Sequence, residues 1–244
     1  MKNKKVVILI LAILSLPTLH AQWKTNLEVG GNYYQGNVNK SNLKAGGHIS
    51  HKDTTFEFSA NVKAVYGETE NKQDNQEIQA TMKYDRNPNG LLSPFLGVEL
   101  YNNKYKGIDL KSSGFLGVKY IVYKKEKIKF SLSSAVMYSA EKYIAFPDPT
   151  ASIADNKNFI RFSIRPKLDI KLSENISLKN YTFYKPEIKD FSNNEVDAYT
   201  SLSIKINKNL SVAFNHEYHF KSNPPNATLK KDDAYLTGSI KISF

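Results

Sequence analysis

Residues 234–244 read "AYLTGSIKISF". Ala234, Leu236, Gly238, Ile240, Ile242 and Phe244 are apolar or small, and Tyr235, Thr237, Ser239, Lys241 and Ser243 fill the gaps. Alternation over this length is a strand signal, because successive side chains of a strand point to opposite faces. The stretch runs to Phe244 with no polar tail, where most domains have a frayed terminus. Two architectures compete for such an end: the last strand of a sandwich, or the closing strand of a membrane barrel. The rest of the chain decides between them.

At the other end, "MKNKK" (1–5) is a basic n-region and "VVILILAILSLPTL" (6–19) an apolar core of h-region length. Small Ala21 precedes the expected cut, which divides the chain into a signal peptide, 1–21, and a mature barrel, 22–244. The run is short for a transmembrane helix and contains Pro17, which disfavours an anchor. Cysteine is absent, which excludes a lipoprotein anchor, disulfides and thiol chemistry together. Loss of Lys2, Lys4 and Lys5 lowers the formal charge from +11 to +8. A basic balance suits an acidic surface or a cation-lined lumen; nucleic acid is the least fitting partner for an exported chain.

The mature chain reads as strand after strand. Trp23, Thr25, Leu27, Val29, Gly31 and Tyr33 share one face; Leu43, Ala45, Gly47 and Ile49 follow the loop "QGNVNKS". Phe56 to Tyr66 alternate after "HKDTT", and the polar stretch "GETENKQDN" reads as the next loop, before Ile78, Ala80, Met82 and Tyr84. "NPNG" (87–90) is a turn. The scheme repeats through the turns "KKEK", "SEN" and "NKN" and the longer loops within 143–157 and 222–233. In the ninth strand the parity blurs at "NYTFY" (180–184), where a bulge is expected.

This pattern predicts an all-β fold of twelve strands, with long loops after odd-numbered strands and short ones after even-numbered strands. A sandwich has no reason to sort its connections in this way. A transmembrane, antiparallel, up-and-down β-barrel does, with short turns in the periplasm and long loops outside. A spanning sheet must also close, because an open edge leaves backbone groups unpaired in hydrocarbon. Its outer face is then apolar against lipid, and its lumen is free to be polar. Tyr33, Tyr66, Tyr84, Tyr120, Tyr138, Tyr218 and Phe244 lie near strand ends, where aromatic girdles form.

The strand ending at Gly36-Asn37 in "YYQGNVNKSNL" resembles an uncharacterised outer-membrane β-barrel family labelled salt-induced outer membrane protein, a domain of unknown function. "YGETENKQDN", "YNNKYKGIDLKSSGFLGVKY", "FYKPEI" and "NPPNATLKKDD" are similar along nearly all of the mature chain. The resemblance implies a barrel in the Gram-negative outer membrane and implies no activity. A strand closing on Phe244 also resembles the signal read by outer-membrane assembly machinery, which makes Phe244 the candidate assembly signal.

By parity the lumen should hold Lys24, Glu28, Lys44, His48, Glu57, Lys63, Glu77, Lys83, Glu99, Lys119, Arg161, Arg165, Lys167, Asp169, Lys171, Lys205, Glu217 and Lys241. Charges confined in a narrow barrel need partners, so a paired wall is the plain expectation. The sharper expectation is a lumen-lining cationic ladder in "RFSIRPKLDIK": Arg161, Arg165, Lys167 and Lys171 against Asp169 alone. Such a ladder would bias a pore toward a small anionic solute. Glycines 30, 46, 97 and 117 and several serines leave room for water, while Phe95, Phe115 and Tyr199 fill other parts of the wall.

"NHEYH" (215–219) is not the helical zinc motif: on a strand His216 and His219 face opposite sides. No metal, cofactor or catalytic set is expected. The predicted role is a narrow channel for small solutes or a structural envelope protein, with outer-membrane lipid and the assembly machinery as partners. Two alternatives stand beside it: an outer-membrane lipid or peptide hydrolase, the latter drawing on His219, Asp232 and Asp233, and a surface-binding module using the long loops.

Overall fold

The computed structural model describes residues 23–34, 39–145, 155–225 and 229–244. The expected signal peptide, Gly36 and Asn37, and most of the loop within 143–157 lie outside the described residues. Twelve strands follow one another: β1 (Trp23–Tyr34), β2 (Lys40–Lys52), β3 (Phe56–Thr69), β4 (Lys72–Arg86), β5 (Leu92–Asn103), β6 (Ile108–Lys124), β7 (Ile128–Tyr143), β8 (Lys157–Lys171), β9 (Ile176–Pro186), β10 (Asn194–Lys205), β11 (Leu210–Lys221) and β12 (Asp232–Ser243). Each pairs antiparallel with its neighbours in sequence, and β12 closes on β1, giving one closed barrel. The seam runs from Asn26 opposite Ser243 to Gly31 opposite Gly238, and the Phe244 N–H extends it by donating to the Thr25 carbonyl at 2.9 Å.

Closure leaves no spanning edge unpaired and sorts side chains by parity. Val29, Leu43, Leu96, Leu116 and Ile240 face outward and are more than half exposed on the isolated chain, as a lipid-facing band requires. At the periplasmic end of that band Trp23 packs on His51 with centroids 5.1 Å apart, and Phe56 stacks on Tyr84 at 5.7 Å. This is one arc of an aromatic girdle. The inner face is mostly polar and includes a reciprocal aromatic pair: Phe95 is opposite Gly117, Gly97 is opposite Phe115, and the two rings meet edge to face at 6.3 Å. A Cβ on Gly117 would lie 2.7 Å from the Phe95 ring, so glycine makes room for the aromatic here.

Two local expectations change. "GETENKQDN" is not a loop: β3 and β4 continue through it and turn on Glu70 and Asn71 alone, at φ 50° and 60°. Two left-handed residues make the hairpin turn whose twist matches its strands. Above the lipid a strand needs no apolar face, so its polar alternation looks like a loop in sequence. The second change is in β9, which pairs with β10 without a register shift from Ile176 to Pro186. Outward Asn180 hid the parity; its Nδ2 donates to Thr200 Oγ1 across the pair at 2.8 Å. Register shifts occur instead between β3 and β4 at Gly67/Glu68, and where β6 meets β5 and β7, at Tyr101/Asn103, Ile108/Leu110 and Ile121/Tyr123.

Candidate functional site in the lumen

The inner wall carries two belts of charge with different character. In the extracellular half, Lys111 of β6 donates to Glu195 of β10 across the lumen at 2.8 Å, and Lys221 of β11 donates to Glu141 of β7 at 2.7 Å. Glu195 also lies 3.1 Å from Lys185, 3.4 Å from Lys221 and 3.6 Å from Arg161. Lys185 passes the chain on to Asp197 at 2.6 Å, which receives His219 Nδ1 at 2.7 Å. His219 Nε2 lies 3.7 Å from Glu217, which holds Lys44 and, at 2.8 Å, Lys63; Lys63 reaches Glu77 at 3.0 Å. The result is one continuous line of alternating charges tying non-adjacent strands together. Glu141 and Arg161 are almost wholly buried in it. Buried ions are tolerated only when paired in this way.

Above this belt is a cavity of about 330 Å³ rimmed by Lys40, Asn42, Lys106, Asp233 and Tyr235. Tyr199 and Tyr235 flank the His219 ring at 5.5 and 6.2 Å. A second cavity of about 400 Å³ lies at the periplasmic mouth, beside Lys24, Ser50, Lys52 and Asn89. Between the two, inward Asn61 is exposed and its Oδ1 meets His48 Nδ1 at 2.6 Å, so the β2–β3 wall is polar.

In the periplasmic half cations outnumber acids. Asp85 serves both Lys83 at 2.6 Å and Lys119 at 3.3 Å. Asp169 lies 3.6 Å from Lys167, and its cross-strand neighbours are Lys129 and Lys179. Glu28 faces Lys241 at 3.6 Å. Arg165 has no carboxylate within 4.0 Å among the described residues; its guanidinium carbon lies 5.0 Å from the Phe183 ring centroid, and its Nε is buried without a hydrogen-bond partner.

The ladder residues therefore sit in different surroundings. Arg161 lies in the ion-paired belt, donating also to the carbonyls of Lys185 and Asn193 at 3.3 and 3.2 Å. Arg165 and Lys167 face the cationic half, and Lys171 is exposed at the end of β8. Phe244 lies on the outer face beside Thr25 and is two-thirds exposed. Parity placed Glu77, Lys63 and Glu217 in the lumen but passed over Asp85, Lys111, Glu141, Lys185, Glu195 and Asp197. Each of these shares the inward parity of its strand, and extending that parity to the strand ends is the signal that would have found them. His216 faces outward between Thr200 and Leu236, with no serine on either paired position. Asp233 is paired with Lys106 at 2.8 Å. Among the described residues no three His, Asp or Glu side chains converge as a metal site.

Residues 27–244 match the family described as Protein of unknown function, DUF481. No curated protein matches the sequence. Among solved structures, the NanC porin aligns over 90% of this chain and 98% of its own, at 10% identity and a TM-score of 0.54. The translocator domain of the autotransporter NalP from Neisseria meningitidis aligns over 100% of this chain and 95% of its own, at 12% identity and a TM-score of 0.50. At such identities the likeness is one of fold alone.

Proposed function

The chain belongs to the DUF481 family of outer-membrane β-barrels, and from that premise we propose that it is a narrow channel for small solutes. The observation that carries this reading is the lumen itself. It is walled by charged, amide and hydroxyl side chains and has a cavity at each end. Among the described residues no helix or strand occupies it, so what closes the middle is ion-paired side chains. A barrel acting only as a scaffold gains nothing from burying so many charges, since apolar packing is as stable or more so. Side-chain ion pairs can exchange partners with water and a passing solute, whereas a packed apolar core cannot. Of the expected cationic ladder, Arg165, Lys167 and Lys171, which lie outside the ion-paired belt, give this channel its bias toward small anions. Export through a signal peptide cut after Ala21 and insertion guided by Phe244 complete the reading.

Planar-bilayer recording of the refolded barrel tests it. Discrete conductance steps are expected, with a reversal potential under a KCl gradient displaced toward the chloride equilibrium value. A bilayer that stays silent with correctly folded protein overturns the channel and leaves the structural envelope role.

A further inference from the structure

We propose that the periplasmic half of the lumen contains a discrete oxyanion-binding site centred on Arg165, taking a small carboxylate- or phosphate-bearing solute that enters from the periplasmic mouth. The inference deepens the channel reading and rests on its water-filled lumen.

Three independent features converge on this residue. The first is its lack of a partner. Arg161, four residues away on the same strand face, donates to two carbonyls and lies 3.6 Å from Glu195. Arg165 has neither kind of contact among the described residues; a buried Nε without an acceptor is common to both arginines, so what sets Arg165 apart is that it has no carbonyl and no carboxylate acceptor at all. A guanidinium carries five donors in a fixed fork and stays charged, so leaving it without an acceptor is costly. The Arg165 guanidinium carbon lies over the Phe183 ring at 5.0 Å, but a ring is no substitute for an oxygen acceptor of its N–H groups. The chemical group that satisfies such a fork is a carboxylate or phosphate, bound through two parallel N–H···O contacts.

The second feature is the surrounding field. Lys83 interacts electrostatically with both Arg165 and Lys119, and Lys167 with both Arg165 and Lys179. The acids within that group are Asp85 and Asp169, both already engaged by lysines at 2.6 and 3.6 Å. The surplus is positive, whereas in the extracellular half every acid of the belt is matched by a cation. The third feature is access. Lys179 and Lys171 are exposed and the Lys167 side chain is 39% exposed, so the cations lead inward from the periplasmic mouth to the half-buried Arg165. A cleft lined by one sign of charge focuses the field and draws in its counter-ion. Above Arg165 the belt cations Lys111, Arg161, Lys185 and Lys221 each have a carboxylate within 3.6 Å, so the unmatched positive charge lies at and below Arg165.

The test is isothermal titration of the full barrel, refolded in zwitterionic micelles, with inorganic phosphate in one series and succinate in another. The wild type should bind at least one of the two, with one equivalent per barrel. Arg165→Met should weaken that binding about tenfold or more, the loss expected for charge-assisted hydrogen bonds. Lys142→Met, at an exposed lysine of β7 that pairs with Asp109 at 3.2 Å and takes no part in the cationic half, should leave it within about twofold. Binding of neither ion, or binding that Arg165→Met leaves unchanged, overturns the site. Heat-modifiable gel migration checks that each variant is folded; if Arg165→Met is not, Arg165→Gln and Lys167→Met carry the same comparison. Titration needs no conduction, so a barrel that binds yet stays silent in a bilayer refutes the channel and keeps the site.

Discussion

Lys111 of β6 and Glu195 of β10, 84 residues apart in sequence, meet across the lumen at 2.8 Å with both side chains buried. They bridge strands that are not neighbours in the sheet, so the contact spans the barrel interior and does not run along its wall. Together with Lys221–Glu141 and the pairing of Glu217 with Lys44 and Lys63, it ties the cylinder internally in its extracellular half.

Glu195 is the centre of this arrangement, with four cations within 3.6 Å. Glu195→Gln removes the charge that all four share and leaves them mutually repelling in a buried site. The expected loss is about 3–5 kcal/mol, the range for breaking a buried ion pair from one side. Urea unfolding in lipid vesicles measures it. A change below about 1 kcal/mol would show that the four cations find water or other partners.

Gly117 lies against the Ser134 carbonyl oxygen, and a side chain there also meets the Ala135 Cβ and the Phe95 ring, each at 2.7 Å. Gly117→Val should therefore destabilise the barrel by about 1–3 kcal/mol, as overpacking does elsewhere. The double variant Gly117→Val/Phe95→Ala should recover part of that loss. Unfolding midpoints of the single and double variants are the check.

The turn between β2 and β3 supplies a pH dependence outside the spanning strands. The Phe56 N–H at 2.8 Å, the Thr55 hydroxyl at 2.8 Å and the Thr55 N–H at 2.6 Å all donate to Asp53 Oδ1. These bonds, the one from Phe56 foremost, hold its carboxyl below the usual carboxylate range. A depressed folded pKa means a contribution fully present above the unfolded value of about 3.9 and lost as pH falls through the folded one. Asp53→Asn should thus lower the unfolding midpoint at pH 7, and the gap from wild type should close as the pH is taken down through the acid range. A gap that stays constant with pH would assign the effect to geometry instead of charge.

Phe244 lies outward at the seam, where its backbone pairs with Thr25. If it serves assembly, Phe244→Ala should lower the amount of barrel reaching the outer membrane in cells while leaving refolding in detergent unaffected. Equal losses in both assays would mean that the side chain acts in stability alone.

The barrel was legible in the sequence because the membrane imposes a rule that each strand obeys separately. Residues such as Leu236, Ile240 and Ile242 must face lipid, their neighbours must not, and connection length must differ between the two sides. Parity also showed which charges point inward wherever apolar outward residues marked the strand, as at Lys63, Glu77 and Glu217. It weakened where strands rise beyond the lipid or carry outward polar groups, as in the β3–β4 hairpin and at Asn180, because there the outward face need not be apolar.

What the sequence determined by itself is thus the period-two pattern and everything that follows from it: twelve strands, closure, and the identity of most inward charges. What only the tertiary structure decided is which of those charges meet. Arg161 and Arg165 are four residues apart on one face of one strand, yet the first lies against Glu195 and two carbonyls while the second, among the described residues, has no carboxylate within 4.0 Å and lies over the Phe183 ring. The physical reason is that lumenal pairing runs across the barrel, between strands distant in the chain. Its geometry depends on the tilt and register of the whole closed sheet, which no local pattern encodes.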